Sequence, residues 1–191
     1  MERKLEGLLV EHCSPTLAGV KAASLFRCQD WQMKELYDAV RQADRELTPL
    51  GVRVTILKTV LKNCPASGQS LIYVYRPDRV ERLLTDPDNL AFLARQGYTG
   101  GGVENLLEQL SRRLCLAERF PHEIGIFLGY PLADVEGFIA NQGRNYTCCG
   151  CWKSYGDPAR AEAYFDRCRR CTRLYRRLYA RGIALPRLVA A

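Results

Sequence analysis

The sequence predicts an α+β domain, a small mixed or antiparallel sheet of about three to five strands covered by many helices. Two segments carry the strand signal. Val52–Val60 alternates with β-branched residues (Val52, Val54, Ile56), and Leu71–Tyr75 reads LIYVY. The turn-forming NCPASGQ between them favours antiparallel pairing. The helical signal is broader, and it ends in one long basic segment, Pro158–Arg181, with proline in its first turn and Gly182 just past its end.

Taken in order, Arg3–Glu11 is a short helix ending at His12-Cys13-Ser14-Pro15, because proline disfavours a helical residue before it. Pro15–Lys21 reads as a loop and Ala23–Arg27 as a short buried strand. Gln32–Leu50 has helical periodicity (Met33, Leu36, Tyr37, Val40, Leu47) and stops at Gly51, a C-terminal cap. After the two strands, helices are expected over Pro77–Leu84, Asp88–Arg95 and Val103–Ala117. The block Phe120–Asp157 contributes two short helices and a cysteine-bearing loop. Leu185–Ala190 reads as a returning strand.

At 191 residues, residues 1–191 fit one domain, with the helix over 158–181 packed on it. The amino terminus, MERKLEGLLVEHC, is charged and lacks the apolar run of a signal peptide, and no stretch approaches the length of a membrane span. The expected location is therefore the cytoplasm, with no membrane partner. The net charge of +7 is concentrated: Ala159–Arg187 holds nine arginines against Glu162 and Asp166, whereas residues 1–158 balance. An acidic partner or nucleic acid would meet that helix.

Nine cysteines in a reducing compartment are core residues, metal ligands or reactive thiols. Cys148-x2-Cys151 and Cys168-x2-Cys171 have the spacing of a four-cysteine site for Zn or Fe. Against it, Ala161, Tyr164, Cys168, Cys171, Tyr175 and Leu178 recur at helical spacing, which puts both helix cysteines on an apolar seam where cysteine packs as a small hydrophobe. The two histidines form a second constellation. His12-Cys13 precedes a Pro-Thr-Leu-Ala-Gly-x-Lys turn, and His122-Glu123 follows Pro121. If these converge, His12, Cys13 and His122 ligate a transition metal, Glu123 orients or acts as base, and Lys21 or Arg76 holds an anion. If they do not, the histidines fill or cap turns.

Gly125, Gly129 and Val135 in EIGIFLGYPLADVEGFI have helix-turn-helix spacing. The second helix, however, carries Asp134 and Glu136, whose charge opposes phosphate, and a helical hairpin used for packing has the same spacing. Gly97-Tyr98-Thr99-Gly100-Gly101-Gly102 lacks the ending of a nucleotide-binding loop and reads as a connection.

Four segments occur in order: His12–Gly19 (HCSPTLAG), Tyr73–Arg76 (YVYR), Phe120–Gly125 (FPHEIG) with Phe127–Pro131 (FLGYP), and Trp152–Asp157 (WKSYGD). Together they resemble a bacterial family catalogued as domain of unknown function 3793, over essentially the whole chain. The resemblance implies proteins of similar size, mainly from anaerobic Gram-positive bacteria, with genes for flavodoxin and ferrous-iron transport nearby. That implies iron or redox work and a flavodoxin-like redox protein as partner. It also implies a tyrosine in place of Cys151 in many members, which takes a complete four-cysteine site out of the shared chemistry. His12, Cys13, His122, Glu123 and Asn141 lie in its signature segments.

The leading expectation is a His/Cys/Glu pocket binding a transition metal or a redox ligand. The alternatives are a nucleic-acid-binding regulator using 124–139 with the arginine helix, and a thiol-dependent enzyme using Cys13 or Cys148.

Overall fold

The structure, a computed structural model, describes residues 2–61, 67–116 and 119–190. Residues 63–66 of the expected turn and Ala117 at the expected helix end lie outside the described residues.

The α+β expectation holds. Strands β1 (Ala23–Gln32), β2 (Arg53–Leu61) and β3 (Ser67–Tyr75) form an antiparallel sheet in the order β1-β3-β2. Alternation along β3 assigns its two faces: Ile72 and Val74 point to one core, Tyr73 and Tyr75 to the other. Both faces are therefore covered. On the first lie α1 (Glu2–Leu17), α2 (Met33–Leu47), α8 (Pro158–Ala180) and the short α9 (Leu185–Leu188). On the second lie α3 (Pro77–Thr85), α4 (Pro87–Arg95), α5 (Gly102–Leu116), α6 (Ile124–Phe127) and α7 (Leu132–Ala140). A two-stranded hairpin, β4 (Cys148–Cys149) with β5 (Lys153–Ser154), lies against α8.

Two expectations are corrected. The first helix does not end at Glu11: it runs through Pro15 to Leu17, so His12, Cys13 and Ser14 are helical. Pro15 removes only its own N–H from the ladder, and the Ser14 hydroxyl donates to the Val10 carbonyl one turn back. Burial of Leu5, Leu9, Cys13 and Leu17 on one face outweighs the local preference of the residue before proline. The second correction concerns Leu185–Ala190, which forms a helical turn where a strand was expected. Pro186 cannot donate to a ladder, and the turn buries Leu185 and Leu188 against α1 and α8.

The long C-terminal helix follows its sequence signals. Asp157 caps it by accepting from the Ala159 and Arg160 amides, Pro158 opens it, and Gly182 follows with φ +85°. Ala161, Phe165, Cys168 and Tyr175 are its buried residues, so the apolar seam exists and includes Phe165. The spacing of Gly125, Gly129 and Val135 is used for packing: a Cβ on Gly125 would stand 2.7 Å from Val135 Cγ2.

Candidate functional site

The reactive groups gather where the end of α1, the turn into β1, the β4–β5 hairpin and α8 meet. After α1 the chain reverses at Gly19, which has φ +66°, and the Val20 and Lys21 amides both donate to the Pro15 carbonyl at 2.8 and 3.0 Å. The Tyr164 hydroxyl on α8 donates to the Val20 carbonyl at 3.1 Å and ties this turn to the helix. Lys21 is thereby carried inward until only 9 % of it is exposed, with its Nζ 5.0 Å from the Tyr130 ring. Burial pushes its pKa below the ordinary lysine range, and the sulfurs of Cys151, Cys168 and Cys13 pull it back up.

A single carboxylate organises the hairpin. Asp134, buried on α7, accepts from Trp152 Nε1 at 2.7 Å, from Ser154 Oγ, and from the backbone amides of Tyr155 and Gly156 at 2.7 and 3.1 Å. Four donors converging on one carboxylate fix the exit of the hairpin. Aromatic packing fixes its tip. Trp152 stands edge-on to Phe165 at 4.8 Å and stacks on Tyr130 at 4.9 Å, while the Tyr130 hydroxyl donates to the Cys151 carbonyl at 3.1 Å. At Gly150 a Cβ would lie 2.2 Å from Phe165, so the hairpin backbone rests directly on α8.

This contact brings Cys151 to Cys168. The two thiols line the same cleft and perturb each other's ionisation. The neighbouring Cys168 thiol is the largest cause holding the Cys151 pKa down to about 6; burial works against it, and the charges of Lys21 and Arg169 reinforce it. The neighbouring Cys151 sulfur, with burial, pushes Cys168 far above the thiol range. The pair thus has an exposed member that ionises readily and a buried member that keeps its proton.

Both sulfurs open onto a cleft of about 440 Å³ that also presents His12, Lys21, Tyr130 and the arginines Arg169, Arg173 and Arg176. The arginines recur at helical spacing along one side of α8, with Arg169 paired to Asp166 and Arg176 to Glu11. His12 stacks on Phe26, ring centroids 5.1 Å apart.

The remaining expected site residues lie elsewhere. Cys13 is fully buried in the α1 core and burial drives its thiol far above the usual range, so it is not an available nucleophile. His122 does not join His12; it sits beside Phe138 and Phe120, at 4.8 and 6.0 Å, and lines a different cavity. Glu123 accepts from the Tyr98 hydroxyl at 3.1 Å and pairs with Arg113 at 3.6 Å, an internal structural contact. Arg76 donates to the carbonyls of Thr16, Leu17 and Ala190 and is used up in tying the end of α1 to the C-terminal segment. Asn141 caps α7 by donating to the Gly137 carbonyl at 2.8 Å.

The four cysteines are likewise not gathered. Cys148 faces Glu162 at 3.9 Å, and the Cys171 thiol donates to the Ser14 carbonyl at 3.4 Å. Among the described residues, no three His, Cys, Asp or Glu side chains are grouped as metal ligands. Nor is any helix among them long and apolar enough to cross a membrane.

The sequence reading named Lys21, Cys151 and Cys168 but divided them between an anion site and a metal site. It missed Tyr130, Tyr164, Trp152 and Asp134 as the framework. Asp134 was read only as a charge unsuited to DNA. The available signal was the density of hydrogen-bonding aromatics in the segments flanking the cysteines. Neither a curated protein nor a solved structure gives a significant match to the chain. A family model described as "Protein of unknown function (DUF3793)" matches residues 9–189, nearly the whole length, and the chain belongs to that family.

Proposed function

We propose that the cleft is a dithiol redox site that exchanges electrons with an anionic disulfide. The observation that carries this reading is the Cys151–Cys168 pair opening, with Lys21 and three arginines, onto one cleft. An accessible low-pKa thiol beside a buried partner is the arrangement that thiol–disulfide exchange requires. The cationic lining favours a small substrate bearing carboxylate or phosphate groups.

The Cys151 thiolate attacks one sulfur of the substrate disulfide. That S–S bond breaks, and its electron pair leaves with the other substrate sulfur as a thiolate. The Cys168 thiol gives its proton to the departing thiolate and attacks the Cys151 sulfur, which expels the second substrate thiolate. The substrate gains two electrons and the protein holds a Cys151–Cys168 disulfide. Lys21 stabilises the charge on Cys151 before attack. His12 and the arginines hold the anionic ends.

Mild oxidation of the reduced protein with diamide, followed by peptide mapping, tests the reading. The expected product is an intramolecular link between the Cys151 and Cys168 peptides, reversed by a dithiol reductant. A folded protein in which this link does not form, or in which Cys148 pairs with Cys151 instead, would overturn it. An oxidised glutathione titration then measures the exchange, which Arg173→Ala is expected to weaken severalfold.

A further inference from the structure

A second cavity, of about 340 Å³, lies on the other side of Tyr130 and Leu25, the two residues whose side chains line both spaces. Its lining is largely aromatic, with Phe120, His122, Phe138, Tyr130 and Trp152, and it includes Asp134, whose carboxylate is taken up by the four hairpin donors. Phe120 is 48 % exposed and so presents its ring to the cavity from the rim. The exposed His122 ring stands at the mouth of the cavity, 4.8 Å from Phe138. Beside these rings Lys153 lines the same cavity; its Nζ donates to the Gly143 carbonyl at 2.8 Å and lies 4.9 Å from the Tyr146 ring and 5.9 Å from Phe138, with two ammonium protons left for a ligand.

We infer that this cavity is a binding site for a planar fused-ring aromatic molecule bearing an acidic substituent. The volume is within the range of small-molecule sites, and the lining has their composition, mostly apolar with a few polar groups. The aromatic rings of the lining offer stacking or edge contacts to a flat ligand. Gly125 and Leu128 also line it, and a Cβ at Gly125 would stand 2.7 Å from Val135 Cγ2 and 3.2 Å from the Tyr130 ring, so the wall at this point is closely packed. His122 supplies a donor or acceptor to the ring edge, and Lys153 supplies the charge that selects an acid over a base. This reading assigns to His122 a role that does not involve a metal, and it is independent of the dithiol proposal.

The test uses the full-length reduced protein carrying Trp31→Phe, so that Trp152 is the remaining tryptophan, titrated with 8-anilinonaphthalene-1-sulfonate. Saturable quenching of Trp152 at one dye per chain is expected. Binding should weaken about tenfold or more in Cys149→Phe, which fills the exposed lip, and severalfold in both His122→Ala and Lys153→Gln. Neutral naphthalene should bind more weakly than the sulfonate. Cys151→Ser should bind the dye as the parent does, which separates this site from the thiol cleft. Each variant is first checked for an unchanged far-ultraviolet spectrum and thermal midpoint. Where Cys149→Phe fails that check, the His122→Ala and Lys153→Gln titrations decide. Non-saturating quenching, several dyes per chain, or affinity unchanged in the folded variants overturns the inference.

Discussion

At pH 5.5, the Cys151 thiol should react with iodoacetamide about 30-fold faster than the same thiol at the ordinary pKa. A group with a pKa of about 6 is about one-quarter thiolate at that pH, whereas a thiol at 9.0 is ionised to only about 0.03 %. The ratio of thiolate is several hundred-fold. A less basic thiolate is also a poorer nucleophile, and a Brønsted coefficient of about 0.4–0.5 returns roughly 20-fold of the gain over that pKa difference. About 30-fold remains. The assay is site-resolved alkylation read by mass spectrometry across pH 4.5–9, with the urea-unfolded chain as the internal reference. The folded rate at Cys151 should rise tenfold for each pH unit up to about 6 and then level off. Cys168→Ala removes the largest cause of the shift and should move the midpoint upward the most, with Lys21→Met next. A midpoint near 9 in the folded parent, or one indifferent to Cys168→Ala, would refute the proposed pairing of the two sulfurs.

Asp134→Asn replaces the acceptor that holds four donors of the hairpin; a loss of about 2–4 kcal/mol in urea unfolding is expected, together with an upward shift of the Cys151 midpoint. Gly150→Ala forces a Cβ into Phe165, and overpacking should cost about 1–3 kcal/mol by thermal melting while slowing Cys151 alkylation at low pH. Alkaline pH should destabilise the fold. Burial raises the thiol of Cys171 from 9.0 to about 11 and that of Cys13 still higher, so above pH 9 the unfolded chain has lost protons that the folded chain retains, and stability falls as pH rises. Denaturation midpoints at pH 8 and 10.5 check the sign, and Cys171→Ala should flatten the slope.

Much of the architecture was legible because it rests on local signals. LIYVY alternates between two cores, Asp157-Pro158 opens the long helix, and Gly182 follows it. The errors arose where burial overrode a local rule. Pro15 marks a helix boundary only if nothing rewards continuing, and Cys13 and Leu17 in the core supply that reward. Pro186 could have warned against a final strand. The site was harder to read because its residues meet through a tertiary contact. Cys151 and Cys168 are ligand-like in spacing, but the hairpin tip at Gly150 pressed on Phe165 selects that pair and leaves Cys148 facing Glu162. No spacing rule encodes which sulfur a loop will present.

Lys21 carries one more consequence. Desolvation works against its charge, and the opposing support comes from the sulfurs around it, Cys151 foremost. An ammonium kept charged by a thiolate is a proton held in trust by a pair of electrons. Once Cys151 enters a covalent bond its negative charge is gone, and the buried amine loses its principal counter-ion and tends to release its proton. Electron transfer at this pair would therefore register as acidity at a nitrogen that takes no part in the bond. Acidification of a weakly buffered solution during stoichiometric oxidation would carry a contribution that disappears in Lys21→Met.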